Sequence, residues 1–247
     1  MTFSTILYHE IRETDDFDPE FPSPIDVHQA YDDRLPTALF VTHAQFNEQM
    51  QYLHDNNFHT LTLDEVKAYY YEEYPLPENS ILLTFDDCFQ SLKKYAYPLL
   101  KEYGFHATAF VVTSWLHEHV KPFDPTQSVC LAQSELNEMK DVFEYANHTD
   151  RFHQRSDENT SMMMGATDEA LASDLATCNN FVEATDVFAY PFGLFSDRNV
   201  DLLAKQHFRL AFTCEQAKND LQTHPLRLNR YVIPHFLPFA QFKLIVN

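Results

Sequence analysis

Glycine is scarce, with 3 in 247 residues, and no Gly-, Ser- or Pro-rich stretch forms a linker. There is no internal repeat or low-complexity tract either, so one domain over residues 1–247 is expected. The four cysteines, Cys88, Cys130, Cys178 and Cys214, are widely spaced. They lack a CxxC pair, which excludes a disulfide scaffold and leaves free, mostly buried thiols as the expectation. Nowhere do 18 apolar residues run together, so no transmembrane segment is expected. The start, MTFSTILYHE, lacks the basic and apolar parts of a signal peptide, and the expectation from the sequence as given is a cytoplasmic protein. A cell-surface or extracellular location stays open if an export signal has been removed. Cations are short as well: 17 Lys and Arg face 37 Asp and Glu, a formal net charge of −20. That field repels phosphate backbones and excludes nucleic acid as a partner. What remains is ordinary for a globular chain, 45% hydrophobic and 22% charged, with an aromatic content of 15% that suits a packed core.

Short β-rich runs predict strands at 4–8, 81–85, 107–112, 142–145, 187–190, 210–213 and 231–233. Apolar residues at helical spacing predict helices at 45–56, 63–71, 90–103, 134–140, 168–183 and 197–206. Thr167, Ser196 and Ser134 suit N-caps, and Gly104 suits a helix end. Regular alternation of strand and helix predicts an α/β fold with parallel strands, as a doubly wound sheet or a (β/α) barrel. Both place functional residues at the C-terminal ends of strands. The segment from Glu10 to Pro36, rich in Asp, Glu and Pro, is expected to be a long surface loop, solvated rather than shaping a groove.

Ile81–Phe85 ends abruptly in Asp86-Asp87. Two adjacent carboxylates resist ionising together unless a cation lies nearby, and a metal allows one to ligate while the other accepts a proton from water. The same pair also suits a turn before the next helix. His148 and His153 follow the strand predicted to end at Tyr145, and one carboxylate with two neutral imidazoles makes a metal site with open positions. Spacing alone is weak support, since about 0.7 such histidine pairs arise by chance at this composition, and His54 and His59 form another. His9, after the first strand, suits a general acid or a hydrogen-bonded strand-end residue. The turn Tyr190-Pro191-Phe192-Gly193 can offer backbone N–H groups to an oxyanion, or be a plain strand-to-helix turn.

Thr84-Phe85-Asp86-Asp87, then His148-Thr149 with His153, then Tyr190-Pro191-Phe192-Gly193, resemble the ordered motifs of polysaccharide deacetylases, carbohydrate esterase family four. Tyr8-His9-Glu10-Ile11 and the five-residue histidine step are most similar to the poly-N-acetylglucosamine deacetylase branch, in which the family's last histidine sits on the first strand. The resemblance implies a distorted (β/α) barrel of about seven strands with a substrate groove over its C-terminal face. It implies Asp86 as base, His9 as acid, Asp87, His148 and His153 as ligands of one divalent metal, and Tyr190 and Phe192 on the substrate side. Phe192 would contribute its backbone N–H. Zinc suits the donors best, while cobalt, nickel or iron also fit.

Many family members carry an arginine two residues before the motif proline to orient the base; here Ala189 stands there, and Arg230 is the candidate replacement. His235 is a second candidate acid, ranked below His9. Tyr97, Tyr103 and Trp115 are expected to be core aromatics, and the Met162–Met164 run to cover the groove or pack locally. The expected reaction is metal-dependent hydrolysis of N-acetyl groups on an N-acetylglucosamine polysaccharide or oligomer. The alternatives are a non-catalytic carbohydrate-binding relative and a deacetylase of a small amide, peptidoglycan or an O-acetyl ester. Oligomeric state is not legible.

Overall fold

A computed structural model describes residues 2–247. The seven predicted strands form one curved sheet: β1 (Ser4–Tyr8), β2 (Ser80–Asp86), β3 (Ala107–Val111), β4 (Phe143–Asn147), β5 (Ala184–Ala189), β6 (Leu210–Phe212) and β7 (Tyr231–Val232). Their spatial order is β6-β5-β4-β3-β2-β1-β7, with short His59–Thr60 beside the start of β2. Every neighbouring pair is parallel, which requires the crossover helices that the sequence supplies. A seam links β6 to the segment that leads into β7: Thr213 N–H donates to the Leu228 carbonyl at 2.7 Å, and Leu228 N–H to the Ala211 carbonyl at 2.8 Å. The result is an α/β, open and distorted (β/α) barrel.

Side-chain alternation sorts each strand between two layers. Ile81, Leu83 and Phe85 of β2 point outward to pack with Phe46, Met50 and Leu53 of α1 (His43–Asp55). Burying each such side chain stabilises the fold by about 1.5–3 kcal/mol. Leu82 points inward, into a cluster with Phe110, Val187, Ala189 and Phe212 that fills the barrel. α2 (Leu63–Tyr71), α3 (Tyr97–Tyr103), α4 (Asp168–Asn179), α5 (Asp197–Lys205) and α6 (Phe239–Val246) complete the longer helices. Thr167 and Ser196 cap α4 and α5 through their hydroxyls, and Gly104 ends α3 in the left-handed region at φ 66°.

Several boundaries differ from expectation, each for a local reason. The helix expected over 90–103 opens as a π-turn at Leu92–Ala96 before α3. Pro98 has no N–H and its ring crowds the preceding turn, which the wider turn accommodates. Ser134 is not a cap; the helix there is a short Gln133–Asn137 stretch preceded by Ala132, whose N–H donates to the Glu135 carboxylate at 2.9 Å. α4 stops at Asn179 rather than Glu183. Glu10–Pro36 is not a free solvated loop: Glu10–Arg12 is a fully buried strand, and Ser23–Asp26 pairs with Arg34–Leu35 and with Ser128–Val129. Met162–Gly165 forms a helical turn, and buried Met163 packs with α4 and α5. Among the described residues no helix is long and apolar enough to cross a membrane.

Candidate metal centre and active site

The C-terminal ends of β1, β2 and β4 converge on one cavity of about 270 Å³, lined by His9, Asp86, Asp87, His148, His153 and Phe192 among others. Asp86 is the last residue of β2 and its side chain turns into the barrel. Asp87 and Cys88 then both take left-handed φ values, 71° and 56°. This tight reversal brings the Asp87 carboxylate to the same cavity, which a continuing strand would have sent to the opposite face. Neither residue is glycine, so the turn stores backbone strain at the site.

The two histidines are placed by a loop that leaves β4. Thr149 sits at φ 78°, and Asp174 of α4 accepts the N–H groups of Asp150 and Arg151, both at 2.8 Å. This irregular path lets residues five apart face one point, which a regular helix would not allow. One nitrogen from each imidazole and one Asp87 oxygen lie within 4.8 Å of one another. Asp87 Oδ1 is 3.4 Å from His153 Nε2 and 3.8 Å from His148 Nε2. The His148 ring is oriented by a 2.8 Å hydrogen bond from Nδ1 to the Ala189 carbonyl, leaving Nε2 with its lone pair toward the carboxylates. His153 has no such acceptor at Nδ1 and is held by packing against Trp115, Phe192 and His148.

These three residues fit a divalent cation. Asp87 Oδ1 is buried and has no hydrogen-bond partner, and burial followed by repulsion from Asp86 pushes its carboxyl well above the usual range. A cation reverses that penalty. Burial lowers both imidazoles, and neutral histidine is the ligand form.

Asp86 is treated oppositely by its surroundings. Burial alone would raise it, but the Arg230 guanidinium, then His148 and His9, hold it down to about 2. Arg230 comes from the seam between β6 and β7 and meets Asp86 with two bonds, Nη1 to Oδ1 at 2.7 Å and Nη2 to Oδ2 at 2.9 Å. Its Nε donates to the Thr213 carbonyl at 2.9 Å. Two adjacent carboxylates thus have their proton affinities driven apart, the usual preparation for different roles. His9 Nε2 lies 3.9 Å from Asp86 Oδ2, and burial lowers its imidazole to about 4.

The Tyr190-Pro191-Phe192-Gly193 turn divides. Phe192 lines the cavity at φ 59°, and the turn's own bonds run from Gly193 N–H to the Tyr190 carbonyl and from Leu194 N–H to the Pro191 carbonyl. The Phe192 N–H enters neither bond. The Tyr190 side chain, expected on the substrate side, is instead on the outer layer of the barrel. It packs with Phe188 and Phe195 and donates its hydroxyl to the Leu226 carbonyl at 2.9 Å. Alternation explains this: Phe188 and Tyr190 face the helices, while Val187 and Ala189 face the interior.

His235 is not in the cavity; its ring packs against Phe17 and Phe236. His54 stacks on Tyr103, and His59 pairs with Glu65 at 2.7 Å, so that second pair lies outside the site. Trp115, set aside in the sequence, lines the cavity, as do Tyr31, Asp33, Arg155 and Cys214. Position four residues past the end of β3 was the available signal for Trp115; nothing local marks the others.

A family model described as polysaccharide deacetylase matches residues 73–211, more than half of the chain. A poly-beta-1,6-N-acetyl-D-glucosamine N-deacetylase of Staphylococcus aureus is 29% identical over 204 residues, covering 80% of this chain and 67% of that protein. One of Staphylococcus epidermidis is 26% identical over 183 residues, covering 71% and 62%. Among solved structures, the Streptococcus pyogenes deacetylase PplD in complex with acetate aligns with a TM-score of 0.79 at 20% identity, covering 100% of this chain and 99% of that one. IcaB from Ammonifex degensii aligns at 0.71 with 17% identity, covering 99% and 96%. At those identities the structural likeness speaks to the fold.

Proposed function

The chain belongs to the polysaccharide deacetylase family, and from that premise we propose that it hydrolyses N-acetyl groups on an N-acetylglucosamine polymer, releasing acetate. The observation that carries this reading is the convergence of Asp87, His148 and His153 around an unpartnered carboxylate oxygen, beside an Asp86 held ionised by Arg230. The names of the staphylococcal relatives support the polymer class. Zinc is the metal we favour for two imidazoles and a carboxylate, with cobalt, nickel or iron as the other fits.

Asp87, His148 and His153 would hold the metal, which supplies a Lewis acid and a water of lowered pKa. Asp86, ionised and fixed by Arg230, accepts the proton of the attacking water. The Phe192 N–H donates to the oxygen of the acetamide as it gains negative charge. His9 is neutral before reaction, and the proton it gives to the departing nitrogen reaches it from Asp86, its neighbour across 3.9 Å. Water ends as the acetate hydroxyl and the amine proton, so the balance closes.

The test is metal content measured together with acetate release from chitin-like oligomers, poly-N-acetylglucosamine, peptidoglycan and acetylated xylan. We expect release from the N-acetylglucosamine polymers, loss of metal in Asp87→Asn, and retained metal without turnover in Asp86→Asn. Release from xylan alone, or from no substrate by a metal-loaded protein, overturns the proposal.

A further inference from the structure

Resting on that reading, the strap from His28 to Pro36 adds a component that the metal centre does not use. His28 and Gln29 donate their N–H groups to the carbonyls of Trp115 and Ser114 at 3.1 and 3.0 Å. Four residues on, Asp33 is bound by Arg155, with Nε at 2.9 Å and Nη2 at 2.8 Å. Between these two tethers stands Tyr31. Its ring packs on Trp115 at 4.8 Å between centroids, and Trp115 packs in turn on the His153 ring at 4.6 Å. The phenol is therefore fixed relative to the metal ligands rather than carried on a free loop.

Its hydroxyl makes no hydrogen bond to any described residue. Burial raises its pKa, so the phenol stays protonated and can donate. The hydroxyl is not sealed from solvent, so its proton is available to an incoming ligand in exchange for water. The position identifies the ligand group. Tyr31, Asp33 and Arg155 line the cavity of the metal centre and also a second cavity of about 510 Å³, floored by Ala30–Asp33 and Gln154–Glu158. They stand at the junction of the two.

We propose that this junction is the sugar-binding part of the site, and that the Tyr31 hydroxyl donates to a ring hydroxyl of the hexosamine whose acetamide enters the metal cavity. The polymer then continues across the second cavity. Phenol, carboxylate and guanidinium in one rim form the mixed donor and acceptor set that sugar hydroxyls require. Tyr31 acts on binding rather than on the reacting carbonyl, because it lines both cavities while Phe192 and the metal ligands line only the first.

Tyr31→Phe removes the hydroxyl and keeps the ring on Trp115. In the metal-loaded protein we expect KM for short N-acetylglucosamine oligomers to rise about tenfold, equivalent to about 1.4 kcal/mol, with kcat within about twofold and metal content and Tm unchanged. A purely structural role for Tyr31 would move Tm or metal content instead, and overturns the proposal. An unchanged KM overturns it too, and a kcat loss above about tenfold at constant KM places the hydroxyl on the reacting group and also overturns it. If wild type binds the oligomers without hydrolysing them, the deacetylase reading fails, while the same pair compared by equilibrium binding still decides the role of Tyr31.

Discussion

Breaking the Arg230–Asp86 pair should be among the most destabilising single changes in the site. Both partners are buried, Arg230 fully and Asp86 with 3% of its surface exposed, and the contact is bidentate at 2.7 and 2.9 Å. Replacing Arg230 by Met keeps most of the volume but leaves the Asp86 charge beside a second buried carboxylate. Removing one partner of a buried pair costs about 3–5 kcal/mol. Asp86→Asn in the wild-type background orphans the guanidinium and should cost a similar amount. The Asp86→Asn/Arg230→Met double variant leaves no orphaned charge, so it should be less destabilised than the two single losses added together. We expect a coupling of about 2–3 kcal/mol. The assay is urea denaturation near neutral pH with a chelator present, so that metal linkage does not enter. The acid limb gives an independent reading. The Asp86 carboxyl is depressed from its ordinary 3.8 to about 2. The stabilisation this brings is present above about pH 4 and is lost as pH falls toward 2, about 2 kcal/mol in all. In Arg230→Met that acid-dependent loss should vanish. A coupling under about 0.5 kcal/mol, or an acid-unfolding curve that superimposes on wild type, would refute the argument.

His9→Ala should lower kcat by about 10²- to 10⁴-fold, the range for loss of a general acid, while His235→Ala should change it less than about twofold; equal effects would remove His9 from the acid role. Gly193 sits at φ 68° and an added Cβ would lie 2.7 Å from Cys214 Cβ. Gly193→Ala should therefore displace the Phe192 turn and cut kcat at least about tenfold with metal retained, strain of this kind costing about 1–3 kcal/mol. An unimpaired kcat would remove the turn from catalysis. Asp174→Ala frees the N–H groups of Asp150 and Arg151 and should weaken metal binding about 10- to 100-fold, as loss of a supporting hydrogen-bond partner does. Metal affinity equal to wild type would show that packing alone holds the histidine loop.

The seven strands were legible because each is a short buried run bounded by turn residues, and the parallel order followed from the helices between them. Asp86 and Asp87 were legible as a pair for a chemical reason, the mutual repulsion of close carboxylates. The reversal at Asp87 and Cys88 was required by the idea of a shared site but carries only a weak sequence mark, since Asp tolerates positive φ without demanding it and Cys does not favour it. Arg230 was suggested by the missing arginine at position 189; its path across the barrel seam is set by strand order and could not be read locally. Tyr190 was misplaced because the motif was read as a unit, whereas alternation sends its side chain outward and leaves only the following turn at the cavity. Glu10–Pro36 was misread most widely. Its Asp and Pro content resembles a solvated loop, yet Glu10, Arg12 and Leu35 are buried by contacts with distant segments, and Tyr31 and Asp33 reach the site. Asp174 lies mid-helix with no local signal, because its partners are backbone groups 23 and 24 residues away.

Diffraction from crystals of the metal-loaded protein, recorded at the absorption edge of the bound element, tests the metal centre most directly. One ion per chain is expected, within about 2.0–2.2 Å of Asp87 Oδ1, His148 Nε2 and His153 Nε2 together, with Asp86 still paired to Arg230 and not coordinated. An ion bound elsewhere, or Asp86 serving as a ligand in place of Asp87, would contradict the division of roles between the two carboxylates.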